Sequence, residues 1–300
     1  MLGYHRVSDS DWDPLNLAVS QENFRSQLET IAARTRPVSL RSLVGMQARG
    51  ESLRRCVAVT FDDGCDHFAA NAVPDLMKKE IPATVFVTTG YSGQPFWWDE
   101  ISHLLRPRGG AIDRLVIEFG ATGGSSVFEN LADEKSAGEA VRQICERLLF
   151  VDPALRSAVI AKIREDTGST DLIAGTPRAM TREQLGELGA NPAVEIGAHT
   201  VTHPMLARLD VADQRREVQD SKSELERFGN EVTGFSYPNG SWSSRTCDLV
   251  EEAGFGYACT SRQAVVRRNS DRYCLPRIWV PDIGGRRFRH WLSTWAGFLR

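Results

Sequence analysis

Two histidines in this 300-residue sequence have a type and spacing that suit metal binding. His199 and His203 lie four residues apart in the segment AHTVTHP, and imidazole nitrogens are common ligands of zinc. Pro204 disfavours helical dihedral angles at the residue before it. We therefore expect the pair on a strand end and the turn after it rather than on a helix. The spacing alone is weak evidence, because ordinary surface or core histidines also occur four apart.

Two adjacent carboxylates strengthen the prediction of a metal site. Asp62 and Asp63 follow directly on the apolar segment CVAVTF (56–61). Carboxylates held this close favour a nearby cation or a shared proton, although an Asp-Asp-Gly turn explains them equally well in isolation. One carboxylate and two imidazoles make three ligands and leave a position open for water, as a catalytic zinc site requires. The set also suits Co, Ni or Fe, so we predict one divalent ion, with zinc preferred.

The elements that must position these residues alternate between strands and helices. CVAVTF (56–61), ATVFVTT (83–89) and AVEIGA (193–198) are short, apolar and β-branched, as buried strands are. A helix is predicted at about 71–80, between the first two. About eight such strands alternate with helices, which predicts an α/β fold with parallel strands and right-handed crossovers. Barrels of this kind carry functional residues at the carboxyl ends of their strands, which is where both pairs lie.

The length fits one barrel domain over residues 1–300, with an insertion at about 90–180 where the alternation stops. Within the insertion we expect a strand at 115–119 and helices near 133–149 and 153–166.

The net charge, the cysteines and the lack of long apolar runs indicate which partners and which compartment to expect. The net charge of −3 argues against broad electrostatic capture of nucleic acid. The six cysteines are scattered without a CxxC pair, which indicates buried free thiols and a reducing compartment. The first residues lack a secretory signal, and no run approaches the ~20 apolar residues of a membrane helix. We therefore expect no transmembrane segment and a cytoplasmic protein. A chain without its natural start would look the same, which leaves the cell envelope open. Oligomeric state has no signal in the sequence.

The motifs resemble those of a known family. TFDDG (60–64) and HTVTH (199–203) resemble the first two motifs of the NodB-homology polysaccharide deacetylases, carbohydrate esterase family 4. LGYHRV (2–7) resembles the permuted branch that deacetylates poly-N-acetylglucosamine. The resemblance covers about 1–90 and 180–280. It implies a distorted (β/α)7 barrel and a metal-dependent enzyme that removes acetyl groups from N-acetylated sugars.

The resemblance also implies roles for individual residues. Asp62 corresponds to the general base of the family. The implied metal ligands are Asp63, His199 and His203. In the permuted branch the acid histidine lies in an N-terminal Tyr-His motif, which implies that His5 protonates the departing amine. His290 is the reserve candidate for this role, although its surroundings match the family poorly.

The third motif departs from the family pattern. FSYPNG (235–240) resembles it, and the residue after the proline, Asn239, is implied to donate its main-chain N–H to the oxyanion. Ser236 stands where the family usually has an arginine that braces the base. LPRIWV supplies Arg277 from a late strand, and we predict that Arg277 pairs with Asp62 and keeps it ionised.

Aromatic residues beside this motif could bind sugar. We expect this of Tyr237 and above all of Trp242, although most aromatic residues belong to the core. Two other functions stay open at this point. One is a different metal-dependent hydrolase such as a phosphoesterase, and the other is a non-catalytic glycan-binding member that has lost its arginine.

Overall fold

The computed structural model describes residues 1–107, 112–168, 176–229 and 231–296. The chain divides into two compact units. The first unit consists of Met1–Asp9, Ala18–Gly93 and Ala179–Arg300, and the second consists of Ser10–Leu17 and Gln94–Arg178.

A seven-stranded sheet forms the centre of the first unit, and its strand pairings are parallel. In order across the sheet, the strands are β12 (Tyr257–Cys259), β11 (Gly234–Ser236), β10 (Val194–Ala198), β7 (Ala83–Val87), β6 (Val59–Phe61), β1 (Leu2–Tyr4) and β13 (Ile278–Trp279). The strands are short, apolar and almost entirely buried, as expected of a parallel sheet covered on both faces. The predicted α/β fold is confirmed, with seven strands in the central sheet rather than about eight.

One segment near the carboxyl terminus closes this sheet into a barrel. On one side, the Leu275 N–H donates to the Ala258 carbonyl of β12 at 2.9 Å. On the other side, the Ile278 N–H donates to the Met1 carbonyl next to β1 at 3.0 Å. The two ends of the sheet therefore meet on a single stretch of chain, which removes the exposed edges.

Helices and two short parallel ladders surround the sheet of the first unit. The helices are α1 (Gln21–Arg34), α2 (Leu40–Ala48), α3 (Val73–Lys78), α8 (Arg182–Gly189), α9 (Val211–Glu226), α10 (Ser244–Glu252) and α11 (Gly285–Ala296). The ladders pair β2 (Arg6–Val7) with β3 (Ala18–Val19) and β4 (Arg36–Pro37) with β5 (Cys56–Val57). The sequence predicts the last helix over about 285–299, and residues 297–299 of that range lie outside the described part of the chain.

The second unit combines a hairpin with helices. Its elements are α4 (Trp97–Leu104), β8 (Arg114–Glu118), α5 (Gly120–Gly123), β9 (Ser125–Glu129), α6 (Glu134–Leu148) and α7 (Pro153–Thr167). β8 and β9 pair antiparallel, and the side chains of Asp133 and Asp152 cap α6 and α7. The strand and the two helices predicted here are found within one or two residues of their expected bounds. Residues 108–111 and 169–175 of the predicted insertion lie outside the described residues.

The start of α1 is stabilised from a distance. Ser20 occupies the N-cap position, where serine is a favoured residue type, but its side chain makes no cap hydrogen bond. Instead, Asp282 Oδ1 accepts from the Ser20 N–H at 2.9 Å, from Ser20 Oγ at 2.8 Å and from Asn23 Nδ2 at 2.8 Å. Asp9 Oδ1 accepts from the Gln21 N–H at 2.7 Å. Two carboxylates remote in sequence therefore take the place of a local cap.

The thiols are free, as predicted. All six cysteines lie within the described residues and none is in a disulfide. Cys247 and Cys274 are half-buried, with 3.5 Å between their Sγ atoms, and the other four are buried.

Among the residues that the structure describes, no helix is both long enough and apolar enough to cross a bilayer.

Candidate active site

The residues predicted to do chemistry meet at one edge of the barrel. Parallel strands present their carboxyl ends at the same edge of a sheet. Asp62 and Asp63 follow β6, His199 follows β10, and Ser236 ends β11. Segments remote in sequence are thereby brought within contact distance.

Asp63, His199 and His203 form a compact group of possible metal ligands. Asp63 Oδ1 lies 3.4 Å from His203 Nε2 and 3.7 Å from His199 Nε2. One ligand atom from each residue lies within 4.8 Å of the other two, and all three side chains are buried. Ligands bound to one zinc ion at about 2.0–2.1 Å in tetrahedral geometry would lie about 3.3 Å apart. The group therefore fits a single divalent ion with little movement.

Local backbone geometry turns these side chains inward. Asp63 has a φ of 71° and His203 a φ of 56°, both in the left-handed region that few residues other than glycine adopt. His203 belongs to a turn after β10 and not to a helix, as Pro204 predicted. Strained backbone of this kind collects at functional sites when the surrounding contacts impose it.

A main-chain contact orients the first histidine. His199 Nδ1 lies 2.7 Å from the Ser236 carbonyl oxygen, so this nitrogen is the donor and Nε2 is left toward Asp63. Burial lowers the pKa of His199, with the charge of Asp62 acting in the opposite direction. The ring is therefore held neutral, which is the form that binds metal ions.

Asp62 has a different set of partners from its neighbour Asp63. Arg277 Nη1 donates to Asp62 Oδ1 at 2.5 Å, and Arg277 Nη2 donates to Oδ2 at 2.6 Å. Ser236 Oγ donates to Asp62 Oδ2 at 3.2 Å and accepts from Arg277 Nη2 at 2.8 Å. Arg277, which is fully buried, thus meets Asp62 in the bidentate geometry that carboxylates and guanidinium groups prefer.

These contacts keep Asp62 ionised inside the protein. Burial would raise the pKa of Asp62, but the charge and the hydrogen bonds of Arg277, with His199 and His5, hold the pKa well below its usual value. Asp62 Oδ2 also lies 3.8 Å from His199 Nε2. A permanently charged carboxylate therefore stands beside the ligand group without belonging to it.

His5 lies on the same side of the barrel, between β1 and β2. Its ring stacks on the indole of Trp279 with 4.5 Å between ring centroids and 11° between planes. The Arg277 guanidinium carbon lies 4.8 Å from the centroid of the same indole. Gly3 makes room for this ring, because a Cβ there would come within 2.9 Å of Trp279 Cε3. His290, the reserve acid candidate, is exposed on α11.

The surroundings of His5 favour its neutral form. Burial lowers the pKa of His5 to about 4, although the charge of Asp62 raises it. With the charge of Asp62 already acting on it, His5 is neutral near neutral pH, and it can act as an acid only after it takes up a proton.

The residues of the third motif differ in their exposure. Asn239 has a φ of 53° within the short turn that Pro238 begins, and Trp242 is 42% exposed. Tyr237 is 1% exposed, and its hydroxyl donates to the Tyr273 carbonyl at 3.1 Å. The expectation that Tyr237 stacks on sugar is therefore wrong, because its ring is part of the core.

Three residues contribute contacts to this site that are not predicted from the sequence. Ser236 bridges Asp62 and Arg277, Trp279 stacks on His5, and Glu217 accepts hydrogen bonds from the loop between the two histidines. A serine, a tryptophan and a glutamate are common at such positions, so only the approach of distant segments reveals them.

The fold and the site define a parallel barrel with a buried carboxylate–imidazole group at the carboxyl edge of its strands. The chain belongs to the polysaccharide deacetylase family, whose profile matches residues 49–118 and 164–258, more than half of the sequence.

Relatives and solved structures agree with this membership. The chain is 21% identical over 319 aligned positions to a poly-β-1,6-N-acetyl-D-glucosamine N-deacetylase of Staphylococcus aureus (strain MSSA476), covering 99% of this chain and 82% of that protein. It is 29% identical over 122 residues to the putative polysaccharide deacetylase YxkH of Bacillus subtilis (strain 168), covering 40% of this chain and 43% of that protein.

Two solved structures have the same fold. The Streptococcus pyogenes deacetylase PplD, solved with acetate, superimposes with a TM-score of 0.63 at 18% identity, covering 98% of this chain and 96% of that one. IcaB from Ammonifex degensii gives a TM-score of 0.62 at 19% identity, covering 98% of this chain and 95% of that one. The expected (β/α) barrel of the deacetylases is thereby confirmed.

Proposed function

We propose that this protein is a metal-dependent hydrolase that removes acetyl groups from the N-acetylated sugars of a glycan or polysaccharide. The observation that carries the proposal is the difference between two adjacent carboxylates. Asp63 faces His199 and His203, whereas Asp62 is held as an anion by Arg277. Metal-assisted hydrolysis of an amide uses an ion and a separate base, and this arrangement offers residues for each.

Asp63, His199 and His203 would hold one divalent ion, zinc in the first place and Co, Ni or Fe as alternatives. When bound, the ion would lower the pKa of water and polarise the acetyl carbonyl.

The chain's own residues would carry the protons. Asp62 would accept the proton of the attacking water, and Arg277 would keep the Asp62 carboxylate ionised until then. The main-chain N–H of Asn239 would donate to the developing oxyanion. The proton that Asp62 accepts would pass to His5, which would deliver it to the departing amine. The contacts of Asp62 with Arg277 and the position of His5 beside Trp279 support these roles.

The substrate class rests on the chemistry of the site and on an exposed aromatic surface. Trp242 follows the third motif and is 42% exposed, which suits stacking on a sugar face. The named activity of the Staphylococcus aureus relative makes oligomers of N-acetylglucosamine the first substrates to test.

Acetate release from N-acetylglucosamine oligomers tests the proposal. We expect release with added zinc or cobalt and none with a chelator. Asp62→Asn should lower kcat by about 10²–10⁴-fold, the range for loss of a general base, while zinc binding persists. Asp248→Asn, an exposed carboxylate on α10, is the control and should leave activity unchanged. Full activity in Asp62→Asn would contradict the role of this residue.

The same assay separates the two alternative functions. A phosphoesterase with two metal ions needs carboxylate ligands for both ions. The Asp62 carboxylate is paired with Arg277, so it is not placed to bind a second ion. Phosphate release from a generic ester in place of acetate release would nevertheless favour that class. Sugar binding with no acetate release at saturating metal would favour a glycan-binding protein.

A further inference from the structure

Glu217 joins α9 to the loop between the two histidines of the site. Glu217 Oε2 accepts from the main-chain N–H of Val201 at 2.7 Å and of Thr202 at 2.9 Å. Glu217 Oε1 accepts from Thr202 Oγ1 at 2.6 Å. One carboxylate therefore takes three hydrogen bonds from two consecutive loop residues, and bonds to an ionised acceptor are stronger than neutral ones.

The loop needs such restraint because its backbone is strained at both ends. Thr200 has a φ of 67° and His203 a φ of 56°, and residues in this region cost about 1–3 kcal/mol each unless the surroundings impose them. A β-branched threonine is especially rare there. Thr200 Oγ1 accepts from the His203 N–H at 3.0 Å, which couples the two strained residues.

The opposite side of the loop is held by the segment after β7. The Thr89 N–H donates to the Thr200 carbonyl at 3.1 Å, and the Gly90 N–H donates to the Val201 carbonyl at 2.8 Å. A Cβ at Gly90 would lie 2.5 Å from that carbonyl oxygen, so the close approach requires glycine. The loop is thus fixed between β7 and Glu217, and removal of either side frees it.

α9 is a firm support for this contact. Asp210 caps its first turn by accepting from the Asp213 N–H at 2.8 Å. Val218 and Leu225 are fully buried on its inner face, and Glu217 is half-buried beside them. The position of the carboxylate is therefore set by the packing of the whole helix.

We propose that Glu217 is a positioning residue of the metal site, one that contacts no ion and acts by holding His203 in the geometry that reaches Asp63. The proposal rests on the proposed function, because it presupposes that the Asp63, His199 and His203 group binds an ion. Its prediction concerns metal affinity and therefore has a readout apart from activity.

Titration of the full chain with zinc or cobalt by calorimetry tests this role. Groups that orient metal ligands typically contribute 10–100-fold to affinity, and we expect Glu217→Ala to weaken binding by this amount. The absorption spectrum of bound Co²⁺ should also change, because it reports ligand geometry. Glu217→Gln keeps one carbonyl acceptor, so it should show a smaller loss. Glu226→Ala, an exposed carboxylate on the same helix, should bind as the unaltered protein does.

The outcomes distinguish the two proposals. If the unaltered protein binds neither ion, the proposed function fails. If it binds the ion and folded Glu217→Ala has the same affinity and Co²⁺ spectrum, the role of Glu217 is wrong. Should Glu217→Ala fail to fold, Glu217→Gln decides, and an unchanged affinity and spectrum in that variant overturns the role.

Discussion

At the scale of single residues, the site separates two chemically identical neighbours. Asp62 and Asp63 differ by one position in the chain, yet Arg277 binds one of them and two imidazoles face the other. Environment sets the role of a carboxyl group, because the same side chain can serve as a ligand, a base or a structural anion. The positive φ of Asp63 sends the two side chains in different directions.

Replacement of Arg277 should raise the pKa of Asp62 and lower the stability of the protein. In Arg277→Ala the burial of Asp62 is no longer offset, so the pKa of Asp62 rises. Asp62 would then be ionised only above a higher pH, so the acid limb of the pH–kcat profile should move to higher pH. The loss of one partner from a buried ion pair should lower the free energy of unfolding by about 3–5 kcal/mol.

Arg277→Lys provides the comparison for this prediction. Lysine keeps the charge and loses the bidentate geometry, so we expect a smaller shift of the acid limb. An unchanged pH profile in folded Arg277→Ala would show that the guanidinium does not control Asp62.

Trp279 should matter for the acid step rather than for substrate binding. Its indole stacks on His5 and also lies against the Arg277 guanidinium. Contacts of this kind contribute about 0.5–2 kcal/mol, so Trp279→Ala should lower kcat roughly tenfold with little change in KM. Trp242→Ala is the matched comparison and should raise KM for longer oligomers. The opposite pattern in steady-state kinetics would reverse the two roles.

The sequence predicts some of these residues and not others, for a physical reason. Asp62, Asp63, His199 and His203 have types that suit a metal site and lie directly after strands, so their convergence follows from parallel topology. The burial of Tyr237 does not follow, because it depends on the packing of segments far away in the chain. Contacts that depend on tertiary packing leave no pattern in the neighbouring sequence from which they could be predicted.

At the scale of elements, the start of α1 is hydrogen-bonded to a residue from a distant part of the first unit. α1 begins where Ser20 predicts, but Asp282, close before α11, supplies the hydrogen bonds. Propensity therefore locates the boundary of the helix, whereas the partner that satisfies its N–H groups comes from the fold.

Asp282→Ala should destabilise the first unit through this helix. The loss of a cap costs about 0.5–2 kcal/mol, measured as a lower urea midpoint at neutral pH. Burial raises the pKa of Asp282, but its bonds to Asn23 and Ser20 lower it overall. A carboxyl group whose pKa is lower in the folded protein stabilises it at pH values above the pKa of the unfolded chain. This stabilisation is lost as the pH falls through the pKa of the folded protein. The difference between the two proteins should therefore shrink below about pH 4.

Asp271→Ala is a suitable control for the helix effect. Asp271 is exposed, and its Oδ1 accepts from the Tyr273 N–H at 2.8 Å, a contact that does not involve α1. Equal losses of stability in the two variants, or a difference between Asp282→Ala and the unaltered protein that does not shrink as the pH falls into the acid range, would contradict capping as the cause.

At the scale of the whole molecule, one late segment of chain completes both the barrel and the site. Residues 275–279 join β12 to β1, and they also carry Arg277 and Trp279. Alternating strands and helices predict the parallel sheet from the sequence. The closure is not predictable in this way, because the sequence identifies a late strand at this segment but not the two strands between which it lies.

Metal binding should stabilise this barrel as a unit, because the three proposed ligands come from β6 and from the turn after β10. An ion that binds only the folded state at 100 times its Kd adds about 2.7 kcal/mol, so zinc should raise Tm by several degrees and a chelator should reverse this. Asp63→Ala should abolish the rise. Asp62→Asn should retain it, because Asp62 is bound to Arg277 and not placed as a ligand. Thermal unfolding of the three proteins with and without zinc measures this difference. If zinc failed to raise the Tm of Asp62→Asn but still raised that of Asp63→Ala, Asp62 would be the ligand and the proposed roles of the two carboxylates would be wrong.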